Sequence, residues 1–151
     1  RILLGAGSEE IDASDLIRTE AIGLGASAVA KFPLVREALL ARQHAFLTEQ
    51  GLVADGRDMG SVVFPDAFLK IFLTASAEVR ANRRVLQLEG AGKVADYAQI
   101  LQDLKDRDFA DQNRAVAPLK KLPEAYLLDT SNLNIEESVA KVLEWYQQTK
   151  I

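Results

Sequence analysis

The sequence predicts an α/β domain with a parallel sheet flanked by helices, and three observations support this class. Short apolar runs that end in Asp or Thr recur along the chain, as buried parallel strands do. Segments with helical periodicity separate or follow these runs. The composition is that of one ordinary globular domain, with 151 residues, 48% hydrophobic and 26% charged.

The predicted elements follow in chain order. Residues 1–26 carry several glycines and an acidic stretch, which indicates a small, irregular and mobile subdomain. Pro33 suits a first helical turn and begins a helix predicted over 33–49. Strands are predicted at 51–56, 69–74 and 125–130. Helices are predicted at 77–89, at 97–113 and after Asn134, which has Glu137 at the position of a capping box.

The charge balance and the residue types exclude several functions. The chain has 18 Lys+Arg against 22 Asp+Glu, so a broad basic surface for nucleic acid is absent and any anion site is local. No cysteine is present, which excludes thiolate metal sites and cysteine nucleophiles and fits a reducing cytoplasm. No apolar run approaches the roughly 18 residues of a membrane span. No metal site formed by protein ligands is predicted.

The first candidate site is the motif DGRDMG at residues 55–60, which follows the predicted strand 51–56. In open α/β sheets, ligands bind beyond the carboxyl ends of the strands. Arg57 can offer a two-pronged donor to a phosphate, Asp58 can accept from an amino group, and Asp55 could orient water on Mg²⁺. The alternative is a polar turn with a local ion pair.

The second candidate is a change of character along the predicted helix 97–113. Its apolar stripe continues at the same spacing as Arg107, Asp111 and Arg114. Charge along a buried line is costly without a partner, which predicts an anionic ligand there. The alternative is a solvated helix end with intrahelical ion pairs.

The third candidate is a group of like charges, Arg80, Arg83 and Arg84, on one side of the helix 77–89. If functional, the group would contact a triphosphate or a nucleotide base; the alternative is a solvated basic face. The nearby run GAGK at 90–93 lacks the first Gly of a phosphate-binding P-loop and has Val94 where Ser or Thr belongs. We interpret it as a loop.

Several long motifs, in this order, make the chain resemble the bacterial cytidylate kinases. They are FP at 32–33 with VREALL at 35–40, DGRDMG at 55–60, VVFPDA at 62–67, KIFLTAS at 70–76, RD at 107–108 and NRAVAPL at 113–119. The resemblance covers nearly the whole chain and is weakest over 1–16 and 90–98. It implies a P-loop nucleoside monophosphate (NMP) kinase fold with an NMP-binding insert and a short lid.

The resemblance also implies a domain layout and an activity. Residues 1–31 would be part of the NMP-binding insert, 32–79 core, 80–114 the lid region with its flanking helices, and 115–151 the last strand and helix of the core. The activity would be ATP-dependent phosphorylation of CMP or dCMP, with Mg²⁺ accompanying ATP. The implied protein is a cytoplasmic monomer with no nucleic-acid or membrane partner.

Each site residue acquires an implied role from the same resemblance. Asp58, with Ser27 and Arg36, would recognise cytosine. Arg57 and Arg114, together with Arg18, would hold the α-phosphate of the acceptor. Arg107 and Asp111 would lie near the ribose and the transferred phosphoryl group. The remaining group would face ATP at the start of the lid: Arg80, Arg83 and Arg84.

One departure from the family pattern concerns the ATP phosphates. The family begins with a strand and a Gly-rich P-loop, and residues 1–51 supply neither its lysine nor its hydroxyl. We therefore expect a truncated chain that is inactive alone. The alternative function is a non-catalytic α/β module that binds a nucleotide or another anion.

Overall fold

The computed structural model describes residues 3–4, 11–14 and 16–149, without the side chains at 3, 4, 18, 20 and 21. The chain divides into two compact units, with the boundary between Gly51 and Leu52. Part of the segment 1–26, predicted to be irregular and mobile, lies outside the described residues.

The first unit contains a short hairpin and two helices. Strand β1 (Leu3–Leu4) pairs antiparallel with β2 (Ile11–Asp12), and a 3-10 turn covers Leu16–Arg18. Helix α1 (Glu20–Val29) follows, so the prediction of irregular structure up to residue 26 was wrong over its last part. Thr19 caps this helix by accepting from Ile22 N at 3.4 Å, and the alanines of the segment favour helix despite its two glycines.

Helix α2 (Pro33–His44) begins at the predicted proline but ends five residues before the predicted end at 49. Two tight turns satisfy the backbone beyond it, through Leu47 N to His44 O at 3.0 Å and Gly51 N to Thr48 O at 2.9 Å. Gly51 adopts a φ of 94°, a conformation in which a side chain is strained.

The second unit is built on a parallel pair of strands. Strand β3 (Ile71–Thr74) pairs with β4 (Tyr126–Asp129) from Ile71 opposite Tyr126 to Thr74 opposite Asp129. Both strands were predicted, with one or two more residues at their ends. Because the strands are parallel, their carboxyl ends lie at the same edge of the sheet.

The strand predicted at 51–56 was wrong. Residues 52–55 make no strand pairing, and Val53 is fully exposed, with 100% of its surface accessible. An apolar run becomes a strand only when a neighbouring strand completes its hydrogen bonds. Within the described residues, the parallel sheet consists of β3 and β4 alone.

Three helices complete the second unit and confirm their predictions closely: α3 (Ala77–Gly90), α4 (Tyr97–Asn113) and α5 (Ile135–Thr149). Each has a side-chain cap at its N-terminus. Ser76 Oγ accepts from Val79 N at 3.2 Å, and Asp96 Oδ1 accepts from Gln99 N at 3.1 Å. Asn134 and Glu137 cap each other's backbone N–H groups at 2.8 Å, the predicted capping box.

Helices α3 and α4 pack against each other and bury Ala81 completely. The chain therefore forms a mixed α/β structure with a small parallel sheet and flanking helices. In the described part of the chain, no helix is both long and apolar enough to cross a membrane.

Candidate functional site

Two carboxylates are buried in the second unit, and they mark the site. Asp58 is 8% exposed and Asp111 is 4% exposed. An ionised carboxylate leaves water at a large cost unless charged or polar partners replace the water. The contacts of these two residues therefore show what the surrounding structure is arranged to hold.

Asp111 pairs with Arg57, which comes from the loop after residues 52–55. Arg57 Nε donates to Asp111 Oδ2 at 2.9 Å, and 40% of the Arg57 side chain remains exposed against 6% for Asp111. The bond joins the last turn of α4 to the DGRDMG loop, across 54 residues of sequence. Arg57 thus keeps a partly exposed side chain beside a buried carboxylate.

Arg114 lies on the other side of the same carboxylate. Its Nη1 is 4.0 Å from Asp111 Oδ1, and 13% of its side chain is exposed. Its Nε donates to the carbonyl oxygen of Ala117, which adopts the left-handed φ of 49°. Leu119 N donates to Asp111 O at 2.8 Å, so the loop after α4 folds back over the end of the helix and holds Arg114 in place.

Two guanidinium nitrogens near Asp111 are buried without a hydrogen-bond partner among the described residues. They are Nε of Arg107, one helical turn before Asp111, and Nη2 of Arg114. A buried donor left without an acceptor costs about 1–3 kcal/mol. Unsatisfied buried donors on cationic groups are what a bound anion would complete.

We call Arg57, Arg107 and Arg114 the arginine cluster. With the two buried carboxylates Asp58 and Asp111, these three side chains leave an excess of one positive charge. A site of this kind can hold a phosphate through several charge-assisted hydrogen bonds.

The structure gives Asp111, one of the charged residues along α4, a different partner from the one that the sequence predicted. The sequence predicted an anionic ligand as the partner of Arg107, Asp111 and Arg114, or a solvated helix end. Asp111 is neither solvated nor dependent on a ligand, because Arg57 is its partner at 2.9 Å. Two buried guanidinium nitrogens, Nε of Arg107 and Nη2 of Arg114, remain without an acceptor among the described residues.

Asp58 is held by an unusual local structure that the sequence did not predict. Its carbonyl oxygen accepts from Val62 N at 2.9 Å and Val63 N at 3.2 Å, at the start of a π-helical turn, Met59–Val63. The side chain of Met59 folds back so closely that a Cβ atom added at Gly56 would lie 3.0 Å from it. π-Helical turns are rare and concentrate at functional sites.

Arg80, the first residue of the predicted basic group on α3, bonds to Asp108 and to the backbone of Ala75. Both of its terminal nitrogens donate to the carboxylate of Asp108, Nη1 at 3.0 Å to Oδ1 and Nη2 to Oδ2. Its Nε donates to the carbonyl oxygen of Ala75 at 3.1 Å. Asp108 therefore neutralises Arg80, one of the three like charges on this face of α3.

Arg83 and Arg84 also contact protein. Arg83 donates to Thr130 Oγ1 at 3.0 Å, to the Thr130 carbonyl and to Leu133 O at 3.3 Å. Arg84 Nη1 donates to Gln87 Oε1 at 2.8 Å. A contact of Arg80, Arg83 or Arg84 with ATP stays a prediction.

The carboxyl edge of the sheet carries polar groups that sequence reasoning did not single out. Thr130 is 7% exposed, and its hydroxyl donates to Thr74 O at 3.1 Å. Asp129 accepts from Ser131 Oγ at 2.6 Å and Ser131 N at 2.9 Å, which lowers the pKa of the Asp129 carboxyl. The signal that could have indicated them is their position directly after a predicted strand.

The remaining predicted residues belong to the first unit. Ser27 lies in the last turn of α1 and Arg36 in the first turn of α2, and both are half-buried. The side chain of Arg18 lies outside the described residues. The resemblance implies that Ser27 and Arg36 recognise the base together with Asp58. Asp58 belongs to the second unit.

The chain is similar to several curated bacterial proteins. The "Cytidylate kinase" of a Neisseria meningitidis serogroup C strain is 62% identical over 148 residues, which are 98% of this chain and 66% of that protein. The "Cytidylate kinase" of Neisseria gonorrhoeae is 63% identical over 137 residues, 91% of this chain and 63% of that protein. That of Chromobacterium violaceum is 61% identical over 137 residues, 91% and 62%.

The chain thus spans about two thirds of the length of these relatives, between 62 and 66%. The family model described as "Cytidylate kinase" matches residues 6–148, which include the arginine cluster, both buried carboxylates and all five helices apart from the last residue of α5. On this match, and on the motifs that surround the buried Asp58 and Asp111, the chain belongs to the cytidylate kinase family.

Proposed function

We propose that the whole protein is an ATP-dependent cytidylate kinase that phosphorylates CMP or dCMP to CDP or dCDP. The observation that carries this proposal is the arginine cluster around the buried Asp111, with two of its guanidinium nitrogens unsatisfied. Membership of the family supports the substrate class. In this proposal, the chain carries the side of the site that holds the acceptor nucleotide.

The phosphate of CMP would bind to the arginine cluster. The Arg57 side chain is 40% exposed, and the buried Nη2 of Arg114 has no acceptor among the described residues. Arg107, with its unsatisfied Nε, would neutralise charge on the transferred phosphoryl group. Asp111 would lie near the ribose and keep Arg57 and Arg114 apart at fixed positions.

Cytosine would be recognised by Asp58, together with Ser27 and Arg36. An ionised carboxylate accepts a hydrogen bond from the amino group at position 4 of cytosine, whereas uracil has a carbonyl oxygen there that the carboxylate repels. Burial of Asp58 strengthens this discrimination because fewer waters compete for the contact. Arg36 would donate to acceptor atoms of the ring.

The catalytic work required of these residues is positioning and charge neutralisation. In phosphoryl transfer, charge develops over the equatorial oxygens, and no covalent nucleophile from the protein is needed. Arg57, Arg107 and Arg114 suit this task, since guanidinium groups stay charged and bind phosphate through two nitrogens at once. Losing an arginine from such a cluster costs on the order of 10³-fold in turnover.

The ATP side of the site is proposed at coarser detail. The fold would be that of a P-loop NMP kinase, with residues 1–31 in the NMP-binding insert, 32–79 and 115–151 in the core, and 80–114 in the lid region. We place the enzyme in the cytoplasm, as a monomer. The residues proposed to act with the nucleotides from outside the arginine cluster are Arg18 on CMP and Arg80, Arg83 and Arg84 on ATP.

Mg²⁺ would accompany ATP, and it neutralises charge on the β- and γ-phosphates when bound. Within residues 3–4, 11–14 and 16–149, no group of three or more acidic or histidine side chains could hold a metal ion. In proteins, Mg²⁺ that accompanies a nucleotide is usually held mainly by phosphate oxygens and water. Asp55, exposed after residues 52–54, could orient one of those waters.

A titration of the 151-residue chain with CMP and with UMP tests the proposal. Tighter binding of CMP supports a cytidylate kinase, and equal weak binding would instead indicate a generic anion-binding module. A coupled assay completes the test. Because residues 1–151 contain no P-loop lysine, we expect no CMP-dependent release of ADP by this chain alone, and release at a normal kinase rate would contradict that expectation.

A further inference from the structure

Arg80 connects three parts of the second unit through one guanidinium group. It lies on α3, its Nε donates to Ala75 O just beyond β3, and its two terminal nitrogens hold the carboxylate of Asp108 on α4. The Arg80 and Asp108 side chains are 30% and 29% exposed, so water competes only in part for these bonds. A bidentate arginine–carboxylate pair restrains the relative orientation of the two groups as well as the distance between them.

Asp108 occupies a specific place relative to the arginine cluster. It directly follows Arg107, and it precedes Asp111 by three positions on α4. Residues separated by three positions lie on neighbouring parts of a helix surface. Holding Asp108 in place therefore restrains the rotation of α4 about its axis and its position along that axis, at the turn that carries Arg107 and Asp111.

We propose that Asp108 and Arg80 are positioning residues for the phosphate site. By clamping α4 to the end of β3, they hold Asp111 within reach of Arg57 and keep Arg107 turned toward the phosphate. Neither residue needs to contact CMP for this role. The inference rests on the proposed function only where it concerns CMP; the effect on the bond between Arg57 and Asp111 does not depend on any ligand.

The same helix pair offers a matched control. Lys105 Nζ lies 3.2 Å from Glu78 Oε1, one turn earlier on α4, and the two side chains are 49% and 55% exposed. The pKa of Glu78 is lowered, first by a backbone hydrogen bond at the start of α3 and then by Lys105. This pair is a single exposed contact and lies further from Asp111, so its loss should leave the cluster in place.

The test compares Asp108→Asn and Arg80→Gln with the control Lys105→Gln in the 151-residue chain. The first readout is the exchange of the Arg57 Nε proton with water, measured by NMR without ligand. We expect exchange to become about tenfold faster in the first two variants, because a tenfold change corresponds to the loss of about one charge-assisted hydrogen bond. Exchange should stay unchanged in the control. The double variant should exchange no faster than either single variant.

The second readout separates positioning from a general loss of structure. It is the ratio of the dissociation constants for cytidine and CMP, which isolates the contribution of the phosphate. We expect this ratio to fall about tenfold in Asp108→Asn and in Arg80→Gln, while cytidine binding itself stays unchanged. Arg80→Lys, which keeps the charge but not the two-pronged contact, should give an intermediate ratio and serves if the other variants fail to fold.

Unchanged Arg57 proton exchange in both variants would overturn the proposal, as would additive effects in the double variant. A wild-type chain with equal affinity for cytidine and CMP would contradict the proposed function instead. The exchange measurement would then still decide the role of Arg80 and Asp108.

Discussion

Arg57 and Asp111 form a 2.9 Å ion pair between the DGRDMG loop and the last turn of α4, with the carboxylate 4% exposed. The pair places Arg57 beside Arg114, whose Nη1 lies 4.0 Å from the other oxygen of Asp111. A single buried carboxylate therefore sets the spacing of two guanidinium groups. In the proposed function, one phosphate contacts both arginines.

Replacing Asp111 by Asn should destabilise the chain and weaken binding of CMP. The substitution removes the negative charge between Arg57 and Arg114, and we expect a loss of about 1–3 kcal/mol in the free energy of unfolding. Urea denaturation measures it. Asp103→Asn on the same helix is the matched control, because Asp103 is exposed and accepts from Gln99 Nε2, a neutral partner on the same helix. An equal, small effect of the two substitutions would contradict the role of Asp111.

Replacing Asp58 by Asn should reduce the preference for CMP over UMP. The substituted side chain would carry no charge to repel the uracil carbonyl, and its amide group could donate to that oxygen. We expect a loss of about 1–3 kcal/mol in discrimination, with little change in the phosphate contribution. Calorimetric titration with both nucleotides provides the measurement. An unchanged ratio of affinities would remove Asp58 from base recognition.

The sequence predicted α4 at its exact bounds because the local signals are complete there. Asp96 caps the first turn, and the apolar stripe from Tyr97 onward gives the helical period. The segment 51–56 has an equally clear apolar run, yet it forms no strand in this structure. Strand formation depends on a neighbour elsewhere in the chain, so composition alone cannot decide it.

The candidate site was predicted by residue type but not by arrangement. Arg57 was identified from its position after a predicted strand, which the structure does not form, and Arg107 and Arg114 from their spacing along a predicted helix. The bond between Arg57 and Asp111 spans 54 residues, and no local pattern encodes it. The contact between Arg80 and Asp108, which spans 28 residues, was missed for the same reason. The π-helical turn at Met59–Val63 is local but rare, and it was also missed.

Asn134→Ala should lower the stability of the chain without affecting nucleotide binding. Asn134 Oδ1 accepts from Glu137 N at 2.8 Å, and losing such a cap typically costs about 1 kcal/mol. Thermal unfolding should show a lower midpoint. The affinity for CMP should be unchanged, because the cap belongs to α5 and not to the arginine cluster. A change in CMP affinity at constant stability would contradict this separation.

The ion pair between half-buried Lys70 and exposed Glu124 gives a prediction for pH. Lys70 Nζ donates to Glu124 Oε1 at 2.8 Å, and this bond is the main cause of a lowered pKa for Glu124. A carboxyl group with a lowered pKa in the folded state stabilises the fold above its ordinary value near 4.5, and this contribution is lost as the pH falls through the lowered pKa.

An NMR titration of the Glu124 side chain tests this sign. In Lys70→Met, the midpoint for Glu124 should move up toward the ordinary value, while the midpoint for Glu144, held by Lys141, should not move. If the Glu124 midpoint is the same with and without Lys70, the assigned cause is wrong.

A side-by-side titration with CMP and cytidine measures whether the arginine cluster binds the phosphate of CMP. The wild-type 151-residue chain should bind CMP at least about tenfold more tightly than cytidine, because charge-assisted hydrogen bonds form only with the phosphate. Arg107→Met should remove most of this difference and leave cytidine binding intact. Equal affinities for CMP and cytidine in the wild-type chain would show that the arginine cluster does not bind the phosphate.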